Sequence, residues 1–131
     1  HSNRNKTKAG SRHYIHASDV ADGCLFLIKN RNKIVRKIKN DYGGAKCPKF
    51  NLVGPVELDN LKLAKLIAKS VGKKLRYKMV DFHSSRPGHD LRYALDGTLM
   101  KRLGWKPKVS IEKRIDQVVN WTLKNKRWLK I

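Results

Sequence analysis

Residues able to do chemistry cluster around one Pro-Gly corner of this chain. Arg86 precedes the corner Pro87-Gly88, and it is followed by His89, Asp90, Arg92 and Asp96. Proline biases the residue before it toward extended backbone, and glycine accepts positive φ and lets another group approach closely. A guanidinium binds two phosphate oxygens at once, and a histidine beside it adds a directional donor. The corner is therefore a candidate phosphate site, with a solvated charged turn as the alternative.

Several other segments have residue patterns that can be compared with those of known proteins. They are Ser11 to Asp22, an Arg-aromatic strand before a helix opening in Asp-Val-Ala, Phe50 to Gly54, Leu103 to Pro107, Asn120 to Thr122 and Asn125 to Trp128. Together with the corner, these segments resemble the extended short-chain dehydrogenase/reductase enzymes that act on nucleotide sugars, in particular the dTDP-glucose 4,6-dehydratases. The resemblance covers almost the whole chain except residues 29–48. It covers only part of the family.

The resemblance implies a mixed α/β lobe with a few short strands and three or four helices. This lobe is the C-terminal, substrate-binding part of a Rossmann-type enzyme, and residues 1–131 form one such lobe, with a basic insertion or loop at 29–49. The implied full-length enzyme is an NAD-dependent lyase that dehydrates a nucleotide sugar. The Arg-Pro-Gly-His-Asp form favours a dehydratase over a related epimerase.

Parts of the family's machinery are missing from the chain. The dinucleotide-binding half of these enzymes carries a glycine-rich turn that holds the pyrophosphate at a helix N-terminus, and no such motif occurs in the sequence. The family's Tyr-x-x-x-Lys pair has one literal match, Tyr42 to Lys46, which contains two adjacent glycines. Each glycine costs on the order of 1 kcal/mol inside a helix, so this match is read as a decoy. The 131 residues alone are expected to bind no NAD and to be inactive.

The resemblance assigns substrate contacts to Arg12, Asn51, Arg86 and His89, which fall on family positions that hold the nucleotide diphosphate. Each residue has an ordinary alternative as a strand-edge charge, a turn former or a capping histidine. Asp90 and Arg92 are expected to pair with each other or with backbone groups and to brace the corner. Thr122 departs from the family, which has a tyrosine after the tryptophan of the last helix.

The charge of the chain suggests a polyanion partner and needs a separate explanation. The formal net charge is +21, from 31 Lys and Arg against 10 Asp and Glu. The basic residues are spread evenly along the sequence, and Lys62, Lys65 and Lys69 occupy the polar side of one helix pattern. This distribution favours a solvated surface with weak, non-specific polyanion binding over a dedicated nucleic-acid module.

Composition places the protein among soluble globular domains. A hydrophobic content of 40% supports a core, and no apolar run approaches the roughly 20 residues needed to span a bilayer. Cys24 and Cys47 are too few and too far apart for a disulfide framework or a zinc site. The histidines have no helical metal spacing. We expect a cytoplasmic protein, a possible homodimer when full-length, and no metal.

Periodicity predicts the elements of the first half of the chain. Residues 1–10 have almost no apolar side chains and are expected to be mobile. A strand is predicted from Arg12 to Ala17, and then a helix capped by Ser18, with a packed stripe of Val20 or Ala21, Cys24, Leu25 and Ile28. Residues 29–49 are expected to contain one or two helical turns and a loop. Residues 50–53 are predicted to form a short buried strand.

The second half has stronger signals. The most regular helix pattern runs from Glu57 to Val71, with Gly72 as its C-terminal cap. A strand is predicted over residues 75–82. Asp96 is expected to cap a short helix that ends before Gly104, and Ser110 to open the last helix, whose apolar stripe is Ile111, Ile115, Val118, Val119 and Thr122.

Overall fold

The computed structural model describes residues 1–42, 48–81, 84 and 90–129. These residues form three short strands, five α-helices and a 3-10 helix. In chain order the elements are β1 (Ser11–His13), α1 (Ala17–Lys29), α2 (Arg31–Tyr42), β2 (Glu57–Asp59), α3 (Asn60–Val71), β3 (Arg92–Tyr93), α4 (Thr98–Leu103), α5 (Ile111–Lys124) and the 3-10 helix Lys126–Leu129. The expected mixed α/β fold is confirmed, with one more described α-helix than the three or four expected.

The sheet has β1 at its centre, in the order β2-β1-β3. β2 runs antiparallel to β1, and β3 runs parallel to it. Arg12 lies opposite Leu58 on one side and opposite Tyr93 on the other. Residues directly opposite each other share a face of the sheet. The sheet therefore brings Arg12 and Tyr93, which are far apart in sequence, onto one face.

The main core lies between the sheet, α3 and α5. Leu58 of β2 packs with Ile111, Ile115 and Val119 of α5, which are all buried. These three residues recur at intervals of four, so they share one side of the helix. The predicted α5 stripe is confirmed for them, whereas Val118 is 47% exposed. Tyr14, Leu63, Leu66 and Val71 complete the cluster and attach α3 to it.

Helix α1 buries a different face from the one predicted. Asp19 and Gly23 are its buried residues, whereas Leu25 is 52% and Ile28 is 60% exposed. Asp19 accepts a hydrogen bond from the Arg114 Nε of α5 at 2.9 Å and a second from Arg114 Nη2. A Cβ placed on Gly23 would lie 2.6 Å from Leu52 Cδ2. An ion pair and a close approach thus orient the helix, and hydrophobicity alone does not reveal either.

The start of α1 is also different from the prediction. The helix begins at Ala17, and its N-cap is His16, whose Nδ1 accepts a hydrogen bond from the Ser18 amide at 3.1 Å. Ser18, the predicted cap, is therefore already helical. The preceding strand β1 ends at His13, so the predicted strand from Arg12 to Ala17 is shorter than expected.

The basic segment after α1 is largely helical. α2 extends over Arg31–Tyr42, and its residues Ile34 and Ile38 are buried, each 5% exposed. The Lys37 ammonium donates to the Arg102 carbonyl at 2.8 Å. The segment is thus longer and better packed than the one or two turns predicted. Residues 43–47, which include the glycine pair of the Tyr42 decoy, lie outside the described residues.

The N-terminal ten residues form hydrogen bonds within the segment and with a distant part of the chain. Ser2 is fully buried, and its amide and hydroxyl both donate to the Val80 carbonyl, at 2.8 and 3.1 Å. The Asn3 side chain accepts hydrogen bonds from the amides of Thr7 and Lys8. Polar side chains therefore fold this segment through hydrogen bonds, which a count of apolar residues does not detect.

Two predicted strands are not formed. Residues 50–53 belong to no strand, and within 75–81 only Asp81 makes a strand-like bridge, to Ser2. Residue 82 lies outside the described part of the chain. Short apolar runs favour extended backbone, but they do not supply a ladder partner. β2 and β3 occur where no strand was predicted.

Gly72, Gly104 and Ser110 are caps as predicted, whereas α3 starts after an unpredicted cap and the N-cap of α4 is Gly97, the residue after the predicted Asp96. Asp59 caps α3 through the Lys62 amide, so α3 begins at Asn60, three residues after the predicted start. Gly72 ends it with φ +71°, which glycine adopts without strain. Asp96 accepts from the Thr98 amide at the start of α4, Gly104 ends that helix, and Ser110 caps α5.

Candidate functional site

A groove at the β1–β3 edge contains the first predicted site residue. The Arg12 Cζ lies 4.7 Å from the centroid of the Tyr93 ring, and Arg12 Nη1 donates to the Ser11 carbonyl at 3.1 Å. The groove has a volume of about 360 Å³, and it is lined by Arg12, His13, Leu52, Val53, Tyr93, Ala94 and Leu95. A cation, an aromatic ring and aliphatic walls therefore meet in one concave surface.

Arg12 keeps its charge uncompensated by any carboxylate in the described part of the chain. Its nearest described contacts are the π face of Tyr93 and a backbone carbonyl. Both attract a cation without neutralising it. The guanidinium is thus available to an anion in the groove.

A polar cluster on the other face of the sheet ties the three strands together, and we call it the Glu57 clamp. The Glu57 carboxylate accepts hydrogen bonds from the Ser11 hydroxyl at 2.6 Å and from the Arg92 Nε and Nη2 at 2.7 and 2.9 Å. His13 Nε2 lies 3.8 Å from the same carboxylate. Since Ser11 belongs to β1 and Arg92 to β3, Glu57 of the edge strand β2 reaches both other strands of the sheet.

The clamp shifts the titration of its members. The Arg92 hydrogen bonds, and next the Ser11 hydroxyl, lower the pKa of Glu57 from 4.5 to about 2. The same contact raises the pKa of Arg92 above its ordinary value. Donors that favour the charged carboxylate cause the first shift, and an adjacent anion causes the second. Glu57 is therefore ionised throughout the physiological range.

The expected pairing of Asp90 with Arg92 is wrong. Arg92 binds Glu57 in a bidentate arrangement, and Asp90 is exposed. Sequence reasoning missed Glu57, which it placed inside a helix.

Asn51 lines a different cavity from Arg12. Its Nδ2 donates to the Asp96 carbonyl at 3.0 Å, which ties the segment before β2 to the start of α4. The cavity beside it has a volume of about 220 Å³ and is lined by Asn51, Val53, Gly54, Pro55, Gly97, Met100, Lys101, Trp105, Lys106 and Pro107. Val53 lines both cavities, so they adjoin.

Arg86 and His89 lie outside the described residues. The chain beyond the corner is described from Asp90 onward, and the Leu91 carbonyl accepts a hydrogen bond from the Ser11 amide at 2.9 Å. The residues that follow the corner in sequence therefore run directly beside β1 and Arg12.

Tyr93 is a functional candidate that the sequence analysis did not select. It stands in the resembling segment, seven residues after Arg86. A usable signal was the alternation of Arg92 and Tyr93 in a possible edge strand, which sends one side chain to each face. That signal is weak, because β3 has only two residues.

The described residues contain no glycine-rich turn between a strand and a helix. A pyrophosphate turn needs a glycine-rich connection from a strand to a helix. β1 leads to α1 through Tyr14, Ile15 and His16, and β2 joins α3 directly. At Gly54 an added Cβ would overlap the Tyr14 carbonyl, so this glycine permits chain packing.

A larger concave surface lies between the β1–α1 connection, α3, α5 and the 3-10 helix, and we call it the apolar groove. It has a volume of about 460 Å³. Most of its lining side chains are aliphatic, among them Ile67, Val118 and Leu129. Arg114, its charged lining residue, is paired with Asp19. This groove has little polar chemistry to offer a phosphate.

Neither a cluster of metal ligands nor a membrane-spanning helix occurs in the described residues. Over those ranges no group of three or more His, Cys, Asp or Glu residues is arranged to hold a metal ion. The helices in the same ranges are all too short or too polar to cross a bilayer.

Comparison with curated proteins identifies similar sequences. The chain is 34% identical over 89 residues to a dTDP-glucose 4,6-dehydratase of Escherichia coli, and 38% identical over 87 residues to one of Streptomyces niveus. These matches cover 60% and 66% of this chain but 25% of each relative. A low-salt glycan biosynthesis protein, Agl12, of Haloferax volcanii is 38% identical over 74 residues. No protein-family model matches the chain.

Comparison with solved structures supports the fold. The crystal structure of dTDP-glucose 4,6-dehydratase from Bacillus anthracis in complex with NAD superposes with a TM-score of 0.65 and 22% identity. The superposition covers 92% of this chain and 33% of that one. The chain spans about a quarter of the length of its curated relatives. The predicted resemblance is thereby confirmed, and the chain is a homologue of a C-terminal piece of the dTDP-glucose 4,6-dehydratases.

Proposed function

We propose that this chain is the nucleotide-binding portion of an NAD-dependent nucleotide-sugar 4,6-dehydratase, a lyase. The observation that carries the proposal is the sequence similarity to dTDP-glucose 4,6-dehydratases over about 60% of the chain. The groove supplies a physical reason, since Arg12 offers a guanidinium that no described carboxylate neutralises.

The proposed substrate contacts are those of two arginines and two polar side chains. Arg12 and Arg86 bind the diphosphate, because a guanidinium matches the geometry of phosphate oxygens. His89 adds a directional donor. Asn51 donates a hydrogen bond from its Nδ2 to the Asp96 carbonyl, and its Oδ1 accepts from the nucleoside.

Asp90 and Arg92 have supporting roles in the proposal. Arg92 acts through the Glu57 clamp, which holds β3 against the rest of the sheet. Asp90 stands at the exposed start of the segment that leads into β3.

The lobe contributes binding rather than bond-making. Binding energy at the nucleotide end, remote from the reacting sugar carbons, positions the sugar for chemistry performed elsewhere. The glycine-rich turn, the tyrosine-lysine pair and NAD itself belong to another part of the longer enzyme. The proposal places that enzyme in the cytoplasm, as a homodimer.

An epimerase of the same superfamily is the second candidate, and the Arg-Pro-Gly-His-Asp wording of residues 86–90 favours the dehydratase. The third is a stand-alone module that binds polyanions, which the net charge of +21 favours. The three candidates differ in what they bind and in what they release.

Calorimetric titration of the 131-residue chain separates the lobe from a complete enzyme or a polyanion module. We expect saturable binding of dTDP and none of NAD, because the pyrophosphate turn is missing. Saturable micromolar binding of NAD would contradict the proposal. Mass spectrometry of dTDP-glucose treated with the longer protein then separates the enzymes, since a dehydratase removes one water and an epimerase leaves the mass unchanged.

A further inference from the structure

The arrangement of Tyr93 beneath Arg12 is not explained by folding alone. Tyr93 is 48% exposed, so its ring is not part of a core. The ring lies 4.7 Å from the Arg12 Cζ. The two residues face each other across the parallel β1–β3 pairing. An exposed aromatic side chain in an edge strand thus has a specific cationic contact.

The two faces of the sheet carry different groups of side chains. On one face, the Glu57 clamp joins β1 and β3 through Ser11 and Arg92. On the other face, Arg12 and Tyr93 line the groove. The clamp holds β3, which carries Tyr93. It pairs Arg92 with a carboxylate, whereas Arg12 has no carboxylate partner among the described residues. The clamp therefore holds the backbone from which the Tyr93 side chain extends toward Arg12.

A guanidinium on a free arginine samples many rotamers, and binding has to select one of them. A ring below the guanidinium narrows this choice through the attraction between the cation and the π face. The planar surfaces also stack, which orients the fork of N–H donors.

We propose that Tyr93 is a positioning residue, which holds the Arg12 guanidinium at the groove in the orientation that meets a nucleotide diphosphate. This inference rests on the proposed function for the identity of the anion. It does not rest on it for the contact between the Tyr93 ring and the Arg12 guanidinium, which is a feature of the fold.

The test compares Tyr93→Phe, which keeps the ring, with Tyr93→Leu, which removes it. We expect Tyr93→Leu to weaken dTDP binding about three- to five-fold, the range for an exposed cation–π contact. Tyr93→Phe should bind within about two-fold of the original chain. In an Arg12→Ala background, Tyr93→Leu should have no further effect. Equal losses from Tyr93→Leu with and without Arg12 would overturn the proposal.

A ligand-free measurement separates this proposal from the proposed function. In the ¹⁵N NMR spectrum the Arg12 Nε–Hε resonance should be displaced by the ring current of Tyr93, in the original chain and in Tyr93→Phe. It should return to an ordinary arginine position in Tyr93→Leu and in a second ring-free variant, Tyr93→Gln. A displaced resonance without any dTDP binding would support positioning and contradict the proposed ligand. An Arg12 resonance that does not respond to removal of the ring would contradict positioning.

Discussion

Two arginine–carboxylate pairs in this chain have the same chemistry and different surroundings. Asp19 and Arg114 join α1 to α5, and their side chains are 4% and 14% exposed. Glu57 and Arg92 join β2 to β3 at the surface, and their side chains are 29% and 61% exposed. The first pair fixes the packing of helices, whereas the second holds a strand beside a groove.

The arginines of the chain differ in whether a carboxylate occupies the guanidinium. Arg114 and Arg92 each form two hydrogen bonds with a carboxylate. Arg12 contacts an aromatic ring and a carbonyl instead. Its guanidinium can therefore bind an external anion without first breaking an ion pair.

Breaking the buried pair should give the largest loss of stability. Asp19→Ala leaves Arg114 without its partner inside the protein, and removal of one member of a buried pair costs about 3–5 kcal/mol. Urea unfolding followed by circular dichroism measures the change. The matched control is Asp116→Ala, which removes an exposed carboxylate from α5, the helix that carries Arg114. It should change stability little. Equal effects of the two substitutions would show that the Asp19 pair is not structural.

Removing the second proposed phosphate arginine should affect binding rather than folding. Arg86→Ala is expected to weaken substrate binding by roughly 1.5–3 kcal/mol, the range for hydrogen bonds to a charged group. Arg86→Lys should restore part of the loss, because a single ammonium cannot form the bidentate contact. Calorimetry with dTDP measures both. Unchanged affinity in Arg86→Ala, with unfolding of the lobe in Asp90→Ala, would make the corner structural.

Acid should weaken the exposed pair. The pKa of Glu57 is lowered from 4.5 to about 2 in the folded chain, so its stabilising contribution is complete above pH 4.5. The contribution is lost as the pH falls through about 2, because the folded state then takes up the proton as well. In Glu57→Gln, stability should fall less steeply over this interval, by up to about one proton of linkage. Urea unfolding at a series of pH values gives the slope, and an unchanged slope would contradict the clamp.

The smallest effect should be the binding of nucleic acid. If the excess lysines form a solvated surface, binding should be weak, indifferent to sequence, and lost between low and physiological salt. Fluorescence anisotropy with two unrelated oligonucleotides measures it. A ten-fold preference, about 1.4 kcal/mol, that persists at physiological salt would favour a dedicated module. In that case neutralising Lys33, Arg36, Lys37 and Lys39 should abolish binding.

Some parts of the fold were predictable because their causes are local. The Ser110 cap, the terminal glycines Gly72 and Gly104, and the buried side of α5 at Ile111, Ile115 and Val119 follow from neighbouring residues. The orientation of α1 was not predictable in this way. It depends on Arg114, which is 95 residues from Asp19 in sequence.

The same limit applies to the site. Arg12 was identified by resemblance, but Tyr93 and Glu57 become neighbours of β1 only through pairing with β2 and β3. Both strands are very short, with three and two residues, and a periodic pattern needs a longer segment. The sequence around Glu57 therefore predicts the start of a helix and gives no indication of the Glu57 clamp.

Titration of the 131-residue chain with dTDP, for the original sequence and for Arg12→Ala, tests most directly whether the free guanidinium serves an anion. We expect Arg12→Ala to lower the affinity about ten-fold or more, as loss of a charged hydrogen-bond donor requires, without changing the free energy of unfolding. Lys65→Ala, which removes an exposed cation from α3, is the charge-matched control and should leave the affinity unchanged. Equal affinities of the original chain and Arg12→Ala, or an equal loss in Lys65→Ala, would contradict the account.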